Sequence, residues 1–179
     1  HRVTKNNLQD YGPIIERPTD RLLGWKYKKF KTGSKILICP PSDKVMKFFD
    51  QPSSEEWTKQ IVAQLKDITD RPVEIRLKPN RTHRITGNSI EDALSNNVHC
   101  LITYNSIAAL EALNFGKPAI ALGPNCASIV CNTKLEEVEN LHIPDKDEMT
   151  ALMSHLSYCQ FSRNELMHGF AWDTVNESR

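Results

Sequence analysis

Asn105, Ser106 and Glu111 have the residue types and spacing best suited to holding a ligand. Asn105 and Ser106 stand where an apolar helical stretch begins. Free backbone N–H groups and the positive end of the helix dipole at such a place can hold a phosphate or another anion. Both residues are also ordinary helix caps. Glu111 lies five residues past Ser106, among Ile107, Ala108, Ala109, Leu110, Ala112 and Leu113. A carboxylate in so apolar a helix requires a partner, because burying it unpaired is costly. A ribose diol or a structural salt bridge would each serve. Lys78, Arg81, His83 and Arg84 follow an apolar-alternating stretch and can neutralise a diphosphate, although a charged surface loop without a ligand has the same composition. His83 is the single candidate for acid–base chemistry; His99, His142, His155 and His168 have no partner visible in the sequence.

These residues need a scaffold, and the hydrophobic pattern supplies one. Ile36 to Cys39 is a continuous apolar run stopped by Pro40-Pro41, which reads as a strand buried on both faces. Ser53 to Glu56 forms a capping box before Trp57, Ile61, Leu65 and Ile68 at helical spacing. Val73 to Leu77 alternates as a second strand, Ser89 caps a short helix, and Cys100 to Ile102 is a third strand. Asn105 to Phe115 reads as a helix stopped by Gly116 and Pro118, and Ala119 to Leu122 as a fourth strand. Asp145 to Glu148 and Ser162 to Glu165 cap two further helices. The order β-α-β-α-β-α-β predicts an α/β fold, a Rossmann-like parallel sheet flanked by helices. Residues 35–179 form the expected domain, and residues 1–34 an amino-terminal extension or linker.

In such a sheet, ligands bind beyond the carboxyl ends of the strands. Four segments should meet there: Pro40 to Asp43, Lys78 to Arg81, Thr103 to Ser106, and Gly123 to Asn125.

Composition bounds the function. The formal net charge is +1 over 179 residues, so no bulk attraction to nucleic acid or anionic membrane is implied. The basic-aromatic run Trp25 to Lys31 can bind nucleic acid, but it reads as a solvated strand or linker, and nucleic acid is not an expected partner. No apolar run approaches the roughly 18–20 residues that cross a bilayer. Five scattered cysteines without a CxxC pair fit reduced thiols and a cytoplasmic setting better than a disulfide framework, and no Cys/His cluster has zinc-ligand spacing. GxGxxG, GxxxxGK[ST] and GxSxG are all absent, which argues against a typical dinucleotide fold, a P-loop and a nucleophile elbow.

The stretch from Asn105 to Pro118 reads N-S-x-x-x-x-E-A-x-x-x-G-K-P. It resembles the carboxyl-terminal, donor-binding domain of GT-B-fold glycosyltransferases, nearest to the capsule-polysaccharide and CDP-glycerol glycerophosphotransferase type; UDP-N-acetylglucosamine 2-epimerases share the layout. Ile75 to Pro79 is similar to the K-P-H-P turn of those enzymes, with Asn80 in place of the histidine. The resemblance covers residues 35 to 125. It implies a single GT-B-type half that binds a nucleotide-sugar as donor substrate, with no separate cofactor and no metal. It places Asn105 and Ser106 on the donor phosphates, Glu111 on the ribose, Lys78 or Arg81 on the diphosphate, and Gly123 beside the nucleotide. It also implies a second domain or partner chain that holds the acceptor. A non-catalytic nucleotide- or partner-binding module of the same fold, or an epimerase-like protein, would share these features.

Overall fold

A computed structural model of the chain describes residues 1–4, 12–78 and 89–176. Four parallel strands form one sheet: Lys35–Ile38 (β1), Val73–Ile75 (β2), Val98–Thr103 (β3) and Ala119–Ala121 (β4), in the order β2-β1-β3-β4. Seven α-helices accompany them among the described residues: Asp43–Phe48 (α1), Ser54–Ile68 (α2), Ile90–Ser95 (α3), Ala108–Asn114 (α4), Lys146–Ser157 (α5), Arg163–Met167 (α6) and Phe170–Asn176 (α7). The expected α/β architecture is present.

Alternation along the strands divides the core into two layers. Leu37, Leu101, Ala119 and Ala121 face Leu94 of α3, Ala109 and Leu113 of α4, and Leu152 of α5. Ile36, Ile38, Ile102 and Ile120 face the other way, toward Met46 of α1 and Trp57, Ile61 and Leu65 of α2. Both sheet faces are therefore covered along β1, β3 and β4, which is why these strands hold unbroken apolar runs, whereas the edge strand β2 alternates and is largely exposed. Register places Ile38 beside both Ile75 and Ile102. It shifts between Lys35 and Ile36, which pair with Val98 and Cys100, so His99 is the extra residue on β3.

Helix starts follow the predicted caps. Ser53 accepts from the Glu56 N–H at 3.2 Å, and Ser89, Asp145 and Ser162 each form a reciprocal capping box. One start differs. The helix expected from Asn105 begins at Ala108, because Tyr104 to Ile107 form a turn off the end of β3. A short helix not expected from the sequence, α1, occupies the segment between Pro41 and the Ser53 cap.

The described residues before β1 are largely irregular, and Trp25 to Phe30 pack on the domain. Trp25, Tyr27 and Phe30 turn toward the α4–α5 core layer while Lys26, Lys28 and Lys29 face solvent. The Trp25 indole donates to Asn114 at 2.8 Å, and the Lys31 N–H donates to the Gly116 carbonyl at 2.9 Å. The three rings are partly buried against that layer. No helix among the described residues is long and apolar enough to cross a membrane.

Candidate functional site

From β1 the chain crosses to β2 on one side of the sheet, and from β2 to β3 on the other side of β1. That reversal opens a crevice between the carboxyl ends of β1 and β3, the general ligand position in open α/β sheets. A cavity of about 570 Å³ lies there. Pro40, Pro41 and Ser42 bound it after β1, Arg76 and Lys78 after β2, Asn105 and Ser106 after β3, and Glu111 from α4.

Arg76 was not anticipated. Its N–H donates to the Ile38 carbonyl at 2.8 Å, continuing the β1–β2 ladder one step past the Ile38–Ile75 pair. It therefore stands beside Cys39 on the same face of the sheet. Burial pushes the Cys39 thiol up to about 11, against the charge and hydrogen bond of Arg76; Glu111 pushes in the same direction as burial. Cys39 is 5% exposed and serves as an inert floor rather than a nucleophile.

Beyond β3, Ser106 is tied into the turn and the neighbouring loop. Its hydroxyl accepts from the Ala108 N–H at 3.3 Å, and its carbonyl accepts from the Asn125 amide at 2.9 Å. Asn125 in turn accepts from the Ala127 N–H at 3.0 Å, which ties the loop after β4 to the turn after β3. This corrects the expected helix start: Asn105 caps nothing, Ser106 spends its hydroxyl on the turn, and α4 has only seven residues. The positive character of the cavity therefore comes from Arg76 and Lys78.

Glu111 also departs from expectation. It is solvent-exposed at the cavity rim and forms no ion pair among the described residues. Ile107 and Glu111 fall on the outer face of α4, whereas Ala108, Ala109, Ala112 and Leu113 fall on the inner one. No burial penalty has to be offset, and the carboxylate is open to a ligand.

The cavity thus gathers Lys78, Asn105, Ser106 and Glu111 from the predicted set. Gly123 does not line it: its N–H donates to the Tyr104 carbonyl at 2.8 Å, and the Tyr104 ring covers it. Arg81, Arg84 and the catalytic candidate His83 lie outside the described residues. The other histidines have structural partners: His99 sits on the Val138 carbonyl at 2.9 Å, His155 accepts from the Ile15 N–H at 3.1 Å, and His142 meets Glu148 at 3.0 Å. Among the described residues no cluster of His, Cys, Asp or Glu could hold a metal ion.

A second cavity, about 650 Å³, lies between the amino-terminal segment and α5. Its polar groups are already paired. Arg21 donates to Glu165 at 2.8 Å and to the Gln160 carbonyl at 2.7 Å, and Tyr158 donates to Asp20 at 2.9 Å. The cavity at the carboxyl ends of β1 and β3, where the Glu111 carboxylate stands outside any ion pair among the described residues, is the better ligand site.

Comparison with known proteins adds no relative. No family model matches the chain, and neither a curated protein nor a solved structure matches it significantly. The site stands on its own geometry.

Proposed function

We propose that the chain binds a nucleotide-activated sugar or polyol phosphate in the crevice between β1 and β3, as the donor-binding half of a glycosyltransferase-like protein. The observation that carries this reading is the convergence of Arg76 and Lys78 with the uncommitted Glu111 carboxylate in one cavity at the topological switch point. Two cations suit a diphosphate, and an open carboxylate suits the hydroxyls of a ribose or a polyol. The N-S-x-x-x-x-E-A-x-x-x-G-K-P stretch supports the same assignment.

In this reading the protein contributes electrostatics to the chemistry. As the sugar–phosphate bond breaks, negative charge grows on the departing diphosphate, and the Arg76 and Lys78 cations at the sheet edge stabilise it. Glu111 orients the nucleoside end by accepting hydroxyl hydrogen bonds. The acceptor is assigned to a further domain or a partner chain.

Calorimetric titration with UDP, CDP, CMP and GDP tests the proposal. At least one diphosphate should bind, with Arg76→Gln and Lys78→Ala each weakening it roughly tenfold, the scale of a lost charge-assisted hydrogen bond. Glu111→Ala should weaken nucleotides while leaving pyrophosphate unaffected. Absence of binding across the panel, or affinity indifferent to Arg76, would remove the reading.

A further inference from the structure

The two edges of the sheet differ. Along β4 the chain returns to cover its own edge: Ile120 bridges Asn132 in parallel, and the Ala121 N–H donates to the Asn132 carbonyl at 2.9 Å. Nothing covers β2 in this way among the described residues. Pro72 accepts from the Ile36 N–H and Arg76 donates to the Ile38 carbonyl, so the even positions of β2 face β1. By alternation the N–H and C=O groups of Val73, Ile75 and Leu77 point outward, and none forms a hydrogen bond to a described residue. Ile75 and Leu77 are also 47% and 71% exposed. An open edge of this kind is a template for a further strand.

Charges usually guard such an edge by repelling a second one. The charges on β2 have opposite signs and stand two residues apart. Glu74 and Arg76 share one face of the strand, and Val73, Ile75 and Leu77 share the other. We infer that β2 is a self-pairing edge, whose partner is a second copy of this chain bound antiparallel across a two-fold axis at Ile75. Because the outward groups fall on odd positions, few registers are open to it. An axis at Glu74 would oppose two carboxylates, and an axis at Arg76 two guanidinium groups; both repel. With the axis at Ile75, each Glu74 stands opposite Arg76 of the second copy, Ile75 opposite Ile75, and Val73 opposite Leu77. Both faces then match at once, with two opposite-charge pairs on one and an apolar strip on the other. The outward groups of Val73, Ile75 and Leu77 exchange main-chain hydrogen bonds between the copies. A two-fold contact demands this kind of self-complementarity. Lys35 holds one oxygen of Glu74 and leaves the other open to the second copy. A guanidinium has five donors, so Arg76 keeps its hydrogen bond to Cys39 while meeting that carboxylate.

Sedimentation of the full chain over a concentration series, without ligand, tests the inference. The parent should approach the mass of two chains and dissociate on dilution. Glu74→Arg and Arg76→Glu each turn both attractive pairs repulsive, and each should weaken dimerisation about tenfold or more. Combined in one chain, the two substitutions restore opposite signs across the Ile75 axis, and dimerisation should return to within about threefold of the parent. Ile75→Lys, at an exposed position, sets two ammonium groups against each other on the axis and should give a single chain with an unfolding midpoint near the parent's. A parent that stays a single chain at every concentration overturns the inference. So does a dimer that survives Ile75→Lys, or a folded double variant that stays monomeric. Nucleotide binding in the crevice bears on none of these outcomes.

Discussion

The ring of Tyr104 lies directly over Gly123: a Cβ added there would stand 2.6 Å from the ring's Cζ. Phe49 and Trp57 hold the ring in place, with centroids 5.7 Å and 6.4 Å away. Only glycine lets the chain after β4 pass beneath the ring. Gly123→Ala should therefore destabilise the protein by about 1–3 kcal/mol, the usual cost of overpacking. Denaturant unfolding measures this, and in a Tyr104→Ala background the extra penalty should shrink toward zero.

Thiol reactivity should follow burial. Desolvation pushes Cys39 up to about 11 and Cys100 and Cys131 up to about 12, so all three stay protonated near neutral pH. Cys159 is partly exposed. Timed alkylation of the folded protein, read by peptide mass, should label Cys159 first and leave those three silent until unfolding.

Arg71 grips Glu139 through two hydrogen bonds, at 2.8 Å and 2.9 Å, and Thr69 donates to the same carboxylate. These partners hold the Glu139 carboxyl well below its usual value, at about 2. A depressed folded value stabilises above the unfolded value near 4.5, and that stabilisation fades as the pH falls toward 2. The pair is 30% and 44% exposed, so solvent screening keeps its worth below about 1 kcal/mol. Glu139→Gln should accordingly show a small deficit at pH 7 that disappears near pH 2.

The indole N–H of Trp25 fixes the amino-terminal segment to Asn114. Trp25→Phe keeps most of the apolar contact and leaves Asn114 without that donor, at a cost of about 1 kcal/mol. Hydrogen exchange should then speed up in residues 20–31 and remain unchanged in β1 and β3.

What the sequence disclosed tracks how local the cause is. The apolar runs of β1, β3 and β4 and the caps at Ser53, Ser89, Asp145 and Ser162 depend on neighbouring residues, and their places were readable. Arg76 was not, because its role depends on strand pairing: in isolation it is one polar position in the alternating run Val73 to Leu77, and it reaches the cavity only once β1 and β2 align in parallel beside Cys39. Parity after that pairing was the signal to use. The late start of α4 escaped for a related reason. Asn105 and Ser106 are favourable caps in the abstract, yet β3 runs to Thr103 and the chain must turn before it can coil. Glu111 seemed buried when counted among apolar neighbours, although its angular position on the helix puts it on the outer face with Ile107. The packing of the amino-terminal segment rests on contacts such as Trp25 with Asn114, which leave no periodicity in the sequence.

A crystal structure with UDP at saturating concentration tests the central claim most directly. The account predicts density for the diphosphate between Arg76 and Lys78, at the carboxyl ends of β1 and β3, with the ribose toward Glu111. Density in the cavity beside Trp25 and α5, or an empty crevice alongside measurable binding, would contradict it.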